Sequence, residues 1–344
     1  MAGDAPAPLR VGLLPVLGRL GWHLIERFAA GGPFRVVAAV DSTAQAKDSL
    51  AATQMVAPFG VRFVRTPQEL MQAEDIDVLW CTSHGGFREE LTAIGENPGK
   101  PTIVETPLAL TNTLAAQEFR LAAQQGRMLL VHHPRRADLD FRRALTVAHD
   151  RAMGAIRSAK FVSWSYGLPP RGATVSSTRL SSDACDDLQI TKVRFVAHAL
   201  DQLVSLIGDL PVSVFATGNP NAPSASDLFA GYSLSLSVTF EAGCQADVEI
   251  RLDSPASFQS GWALTGERGG YANGRQYTLT DDGEVFDSPV IPTDSDADAD
   301  PLEWLARQIH CGVPNLAEEA RVLTVVAILD AVQRSLATRQ VASV

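Results

Sequence analysis

Cysteine is scarce and scattered. Cys81, Cys185, Cys244 and Cys311 are the four in 344 residues, and no two share a CxxC spacing or a histidine-rich neighbourhood. That excludes a zinc-ribbon pattern and a disulfide framework, and the expectation is reduced thiols in a cytoplasm. Positive charge is short as well: 29 Lys+Arg stand against 39 Asp+Glu, a formal net charge of -10. No basic stripe interleaved with aromatics occurs, so neither nucleic acid nor an anionic membrane is an expected partner. Long apolar runs are missing too; none approaches the roughly 20 residues of a membrane-spanning helix. "MAGDAPAPLR" has no basic region followed by an apolar one, so no signal peptide is expected. Internal repeats are absent. The acidic "TDSDADADP" lacks the glycine and glutamate of a calcium loop and reads as solvated, so no metal is expected.

What remains is an ordinary globular composition, 46% hydrophobic and 20% charged. At about 150 residues per domain the length suggests two. The first third alternates short β-rich runs with helical patterns. "LRVGLLPV", "FRVVAAVD", "VRFV", "IDVLWCTS", "PTIVET" and "RMLLVHH" read as strands. "GWHLIERFAAG", "TAQAKDSLAATQM", "TPQELMQAE", "GFREELTAIGE" and "TNTLAAQEFRLAAQQG" read as helices, the third with Thr66 as N-cap and a proline at its first position. Such a βαβα rhythm with apolar strands predicts a doubly wound parallel sheet covered on both faces. The boundary is placed after residue 131, with a second domain over 132–344.

In that second domain a helix, "DLDFRRALTVAHDRAM", precedes an alternating strand, "AIRSAKFVSWSYG". A polar, irregular stretch follows from Pro169 to Asp187. The helix "ITKVRFVAHALDQLVSLIG" leads into "SVFATG", "YSLSLSVTF", "CQADVEIRLD", "GWALTGE" and "QYTLTDDG". Their period-2 alternation predicts an antiparallel sheet with one solvated face. The last helix is "NLAEEARVLTVVAILDAVQRSL".

A dinucleotide site needs a strand, a tight glycine turn and a helix N-terminus whose amides and dipole hold the diphosphate. Here Leu17-Gly18-Arg19-Leu20-Gly21 supplies two glycines at the spacing of the last two in GxGxxG. The first is absent: Pro15-Val16-Leu17 occupies its place in a loop one residue longer, and proline donates no N–H and has a fixed φ. Asp41, 20 residues after Gly21 and followed by Ser42, stands where an acid binds the adenosine ribose, which favours NAD over NADP, with the cations Lys47 and Arg65 as the opposing consideration. The competing reading is a sheet whose first turn keeps the shape and not the ligand.

Six stretches in order resemble the glucose–fructose oxidoreductase/inositol dehydrogenase (Gfo/Idh/MocA) family over nearly the whole chain. They are "RVGLLPVLGRLGWH", "DIDVLWCTSHGGFREE", "GKPTIVETPLALT", "RRADLDFRRA" with "GAIRSAKFVSW", "VAHALDQLVSLIGDLPVSVFA" and "AEEARVLTVVAILDAVQRS". The resemblance implies an N-terminal Rossmann domain for NAD or NADP and a C-terminal α/β domain with a large, mainly antiparallel open sheet. It also implies a homo-oligomer, dimer or tetramer, and hydride transfer between nicotinamide and a sugar or cyclitol carbinol. By the same resemblance Thr82, Ser83, His84, Glu105 and Thr106 line the nicotinamide side; His84 also reads as a loop residue capping the next helix.

The matching motifs are altered. The family's Glu-Lys-Pro reads Glu105-Thr106-Pro107, and its Asp-x-x-x-His reads Arg194 to His198. Thr106 keeps a hydroxyl and carries no positive charge. Arg194, one helical turn from His198, disfavours a protonated imidazole and leaves a neutral base; it also suits a carboxylate or phosphate in bidentate fashion. Equally, Arg194 reads as a solvated residue paired with Asp183, Asp186 or Asp187. The catalytic candidates are therefore His198, Arg194 and Thr106.

Among the rest, His132 and His133 end the sixth strand on the ligand side, and Arg135 and Arg136 read as structural or salt-bridged. Trp164 and Tyr166 read as core or pocket wall, His23 and His149 as ordinary helix residues, and Lys192 is no stand-in for the lost lysine. The leading function is an NAD(P)-dependent oxidoreductase with an altered site and a small, sugar-like or hydroxylated or keto substrate that is anionic. A redox-neutral lyase, isomerase or tailoring enzyme and a non-catalytic ligand sensor or partner protein are the alternatives.

Overall fold

The computed structural model describes residues 7–14, 19–40, 56–82, 99–150, 153–166, 182–218, 233–251, 253–292 and 300–344. The chain forms two compact units, one gathering residues up to 109, 113–134 and 297–319, the other 110–112, 135–296 and 320–344.

The first unit is built on six parallel strands: β1 (Leu9–Leu14), β2 (Phe34–Val40), β3 (Arg62–Val64), β4 (Val78–Cys81), β5 (Thr102–Glu105) and β6 (Leu129–His132). Their order is β3-β2-β1-β4-β5-β6, and every pairing is parallel. This is the doubly wound dinucleotide-binding order, with its switch point between β1 and β4. β4, β5 and β6 are buried at every residue, which is why they read as near-continuous apolar runs. Gly12 on β1 packs closely: a Cβ there would stand 2.9 Å from Ile76 Cδ1, so the end of that side chain would have to shift.

Helix α1 (Arg19–Ala29) sets Leu24, Ile25 and Phe28 against Val11, Leu13, Phe34 and Trp80. Helix α2 (Pro67–Gln72) starts as the sequence predicts, with Pro67 in its first turn and Thr66 Oγ1 accepting from the Glu69 N–H at 3.3 Å. Helix α3 (Asn112–Gln124) ends where Gly126 adopts φ 62°. The amides of Gly126 and Arg127 turn back to the carbonyls of Ala123 and Ala122 (3.1 and 2.9 Å), satisfying acceptors the helix leaves open.

The sixth-strand side is covered by a helix absent from the sequence reading, α6 in chain order. It spans Pro301–Cys311, is capped by Asp300, and ends on Gly312 at φ 68°. Its Leu302, Leu305 and Ala306 join the same apolar cluster as Met128 and Leu130, worth about 1.5–3 kcal/mol for each fully buried leucine.

The second unit contains β7 (Ile156–Tyr166), β8 (Pro211–Gly218), β9 (Ser233–Phe240), β10 (Gln245–Arg251), β11 (Asp253–Gly266), β12 (Gly269–Ala272), β13 (Arg275–Leu279), β14 (Val285–Pro289) and β15 (Ala342–Ser343). These make one nine-stranded sheet, β14-β13-β12-β11-β7-β10-β9-β8-β15. All its pairings are antiparallel except β10 with β7, which is parallel. Helices α4 (Leu139–Ala148), α5 (Ser182–Ile207) and, after α6, α7 (Leu316–Thr338) contribute to one core with the sheet. On β9, Leu234, Leu236, Val238 and Phe240 are buried, and Ser233, Ser235, Ser237 and Thr239 alternate with them. That is the expected one-sided sheet. Helix α5 begins at Ser182, within the stretch read from sequence as irregular. The helices expected over 43–55 and 86–96 lie outside the described residues. No helix among the described residues is long and apolar enough to cross a membrane.

Candidate functional site

In an open parallel sheet, ligands bind beyond the carboxyl ends of the strands. In the first unit those ends carry Thr82 after β4, Glu105 and Thr106 at the end of β5, and His132 and His133 at the end of β6. All five are buried. The Thr82 N–H donates to the Leu14 carbonyl at 2.7 Å, tying the exit of β4 to the last residue of β1. The Thr106–Pro107 peptide bond is cis.

Glu105 is 1% exposed, and a carboxylate so placed needs donors. Its Oε1 accepts from Trp80 Nε1 at 3.0 Å and from His132 Nδ1 at 2.9 Å. A carboxylate only accepts, so the histidine hydrogen facing it is on Nδ1. Glu105 and His132 are register partners on β5 and β6, which puts both side chains on the same face of the sheet. The imidazole also stands edge-on to the Trp80 ring, with centroids 5.1 Å apart and planes at 77°. Sequence reasoning placed His132 on the ligand edge and missed this group, because its members are 25 and 27 residues apart in the chain.

Of the residues expected to hold a dinucleotide, Arg19, Leu20 and Gly21 open helix α1, while Thr82, Glu105 and Thr106 lie at the strand ends as described. Leu17, Gly18, Asp41, Ser42, Ser83 and His84, together with Pro15 and Val16, lie outside the described residues.

In the second unit, α5 carries Arg194 and His198 one turn apart, with His198 buried and Arg194 half-buried. One turn further on, Asp201 receives a bidentate pair from Arg136, Nε to Oδ2 at 2.9 Å and Nη2 to Oδ1 at 2.6 Å. Gln202 donates to the Arg135 carbonyl at 2.6 Å and accepts from Trp262 Nε1 at 2.9 Å. The Arg135 guanidinium lies 4.2 Å from the Phe195 ring centroid, a cation–π contact, and 3.7 Å from Asp138. Burial pushes Asp138 up from the usual carboxylate range, with Arg135 opposing.

These bonds fix the stretch from Arg135 to Asp138 against the helix face that presents Arg194 and His198. Arg136 is thereby a structural, salt-bridged residue, as its sequence context suggests. Asp201 and Gln202 were not singled out from sequence. The signal was available, since they follow His198 by three and four positions, the spacing of one helix face.

Trp164 is half-buried, its ring 5.1 Å from the Arg251 guanidinium. One sequence reading changes. Asp300, read within a solvated acidic loop, caps α6 through a bond from the Leu302 N–H at 2.8 Å. His23 and His149 are exposed, as expected. No cluster of three or more metal-ligating side chains occurs among the described residues.

With this geometry in view, residues 9–133 match a family model described as an oxidoreductase family with an NAD-binding Rossmann fold. Solved structures share the fold along the full chain. An NAD-binding protein from Listeria innocua is 16% identical, covers 98% of this chain and 97% of its own, and superposes with a TM-score of 0.76. An oxidoreductase from Agrobacterium radiobacter, in complex with NAD+, L-tartaric acid and magnesium, is 16% identical over 98% of both chains, with a TM-score of 0.73. A myo-inositol 2-dehydrogenase from Lactobacillus plantarum is 16% identical over 98% of this chain and 100% of its own, also at 0.73. Among curated proteins none matches the sequence.

Proposed function

We propose, from the premise that residues 9–133 belong to the Gfo/Idh/MocA oxidoreductase family with its NAD-binding Rossmann fold, that this chain oxidises or reduces a sugar-like hydroxyl or keto substrate bearing an anionic group. The observation that carries the anionic part is the pairing of a permanent cation, Arg194, with His198 one turn away on a helix locked by the Arg136–Asp201 bridge. The family match supports NAD as the cofactor, and the acid Asp41 in the sequence favours it over NADP.

NAD, when bound, supplies hydride acceptance from a carbinol carbon. His198 takes the hydroxyl proton on its imidazole as oxidation proceeds, a role worth about 10²–10⁴ in rate. Arg194 holds the substrate's carboxylate or phosphate through two parallel N–H donors and so orients it. The Thr106 hydroxyl donates or accepts one hydrogen bond at the end of β5 and leaves the local charge unchanged. Those assignments rest on the residue types, on their places at a strand end and a helix face, and on the family resemblance.

The test runs in two stages. Calorimetric titration with NAD+, NADH and NADPH should show binding at or below about millimolar concentration, and no binding of any of them ends the redox reading. A panel of sugar acids and neutral polyols should then show turnover confined to the acids. Arg194→Ala should raise KM for an acid by about 10–100-fold, the scale of a hydrogen bond to a charged group, while His198→Ala lowers kcat. Turnover without any change in nicotinamide absorbance would select the second reading, a redox-neutral enzyme, which the uncharged Thr106 favours. By the same resemblance the chain would form a dimer or tetramer, which light scattering reads directly.

A further inference from the structure

Trp80, Glu105 and His132 come from three neighbouring strands and meet at one oxygen, Glu105 Oε1. The imidazole is held at Nδ1 by the carboxylate and packs at a steep angle against the indole, and both contacts restrict its orientation. Its other nitrogen, Nε2, is engaged by no described residue, and 8% of the side chain stays open to solvent. A ring so constrained, with its hydrogen committed to Nδ1, presents Nε2 as a fixed acceptor.

Topology says what that acceptor meets. In the β3-β2-β1-β4-β5-β6 order, the adenosine half of a dinucleotide lies by the end of β2 and the phosphates lie at the switch point between β1 and β4. The other half then extends over the ends of β4, β5 and β6, where this group sits. We infer that His132 Nε2 accepts a hydrogen bond from the carboxamide N–H of the nicotinamide, with Glu105 and Trp80 as positioning residues that set the ring's tautomer and angle. The inference rests on the dinucleotide reading given above and adds a contact that neither the sequence motifs nor the fold likeness assigns.

The experiment compares NADH with ADP-ribose, which keeps the adenosine, the diphosphate and a ribose and lacks the nicotinamide. Both are titrated calorimetrically into the unaltered protein and into His132→Phe, His132→Met and His132→Gln. The first two remove every ring nitrogen and keep apolar bulk beside Trp80; the third restores an acceptor. The expected result is an approximately tenfold loss of NADH affinity in the Phe and Met variants, with ADP-ribose held to within about twofold and partial recovery in the Gln variant.

Equal NADH affinity in the unaltered protein and in either folded apolar variant overturns the inference. So does a parallel loss for both ligands, which is the mark of a purely structural role. Should the Phe variant not fold, the Met variant carries the comparison. If the unaltered protein takes up neither ligand, the dinucleotide reading itself falls and this contact with it. If it binds both and the variants keep the ratio, only the contact falls.

Discussion

The two units each bury a carboxylate behind the residues proposed to face ligands, and they compensate it differently. In the second, Asp201 is met by the Arg136 guanidinium in two charge-assisted bonds. In the first, Glu105 is met by an indole and an imidazole, both neutral or neutralisable donors. An arginine never gives up its charge, so the first kind of pair is a fixed brace. The indole N–H and the imidazole Nδ1–H carry no permanent charge, so the second kind holds its carboxylate through hydrogen bonds alone. The helix bearing His198 is thus held by a permanent ion pair, and the strand ends by hydrogen bonds between neighbouring strands.

The sharpest way to break that contrast is to make the same change in both places. Asp201→Asn should cost about 3–5 kcal/mol in denaturant unfolding, because it strands a mostly buried guanidinium against amide hydrogens. Replacing both partners, Arg136→Met with Asp201→Leu, should recover most of that loss. Glu105→Gln should cost only about 1 kcal/mol, since the amide oxygen still accepts from Trp80 and His132. Equal costs at the two sites would erase the distinction.

A third buried charge sharpens the comparison from the other side. Arg127 is 3% exposed, and neither Nη1 nor Nη2 has a hydrogen-bond partner among the described residues. Arg127→Met should therefore raise stability by about 1 kcal/mol in the same assay.

The smallest effects concern acid. The Arg10 hydrogen bond holds Asp77 below its usual range, with burial opposing, so its stabilisation is present above the unfolded carboxylate pKa and is lost as pH falls through the lower folded value. Asp138, pushed up by burial, works the opposite way, and its contribution fades as pH rises through its folded value. Between about pH 5 and pH 2, Asp77→Asn should flatten the acid side of the stability profile. Asp138→Asn should lessen the decline above its unfolded value. Both outcomes are read from unfolding midpoints at a series of pH values.

Much of the fold was legible because burial on both faces leaves its mark in single stretches. "IDVLWCTS" and "RMLLVHH" read as strands from local sequence alone, and Thr66-Pro67 announced a helix start. The Ser–Leu alternation of β9 announced a sheet with one dry face. Features that depend on distant partners were not legible. The parallel pairing of β10 with β7 has no local signature, and β14 is exposed at every residue, which leaves no alternation to find. Helix α6 was missed although Asp300, Pro301 and Gly312 were all visible as cap, first-turn and stop signals.

For the candidate site, the Arg194–His198 spacing is a property of one helix and could be read directly. The Trp80–Glu105–His132 group exists only through strand register, which composition and periodicity do not encode.

The late position of α6 in the chain has a consequence for how the protein is made. Synthesis delivers all six strands of the parallel sheet by residue 132, yet Leu302, Leu305 and Ala306, which join their apolar cluster, emerge some 170 residues later. At about 5–20 residues per second, the nascent first unit must wait of order ten seconds or more with that flank uncovered. A ribosome stalled before residue 300 would therefore present a sheet with a greasy, unfinished side, a natural landing place for a chaperone.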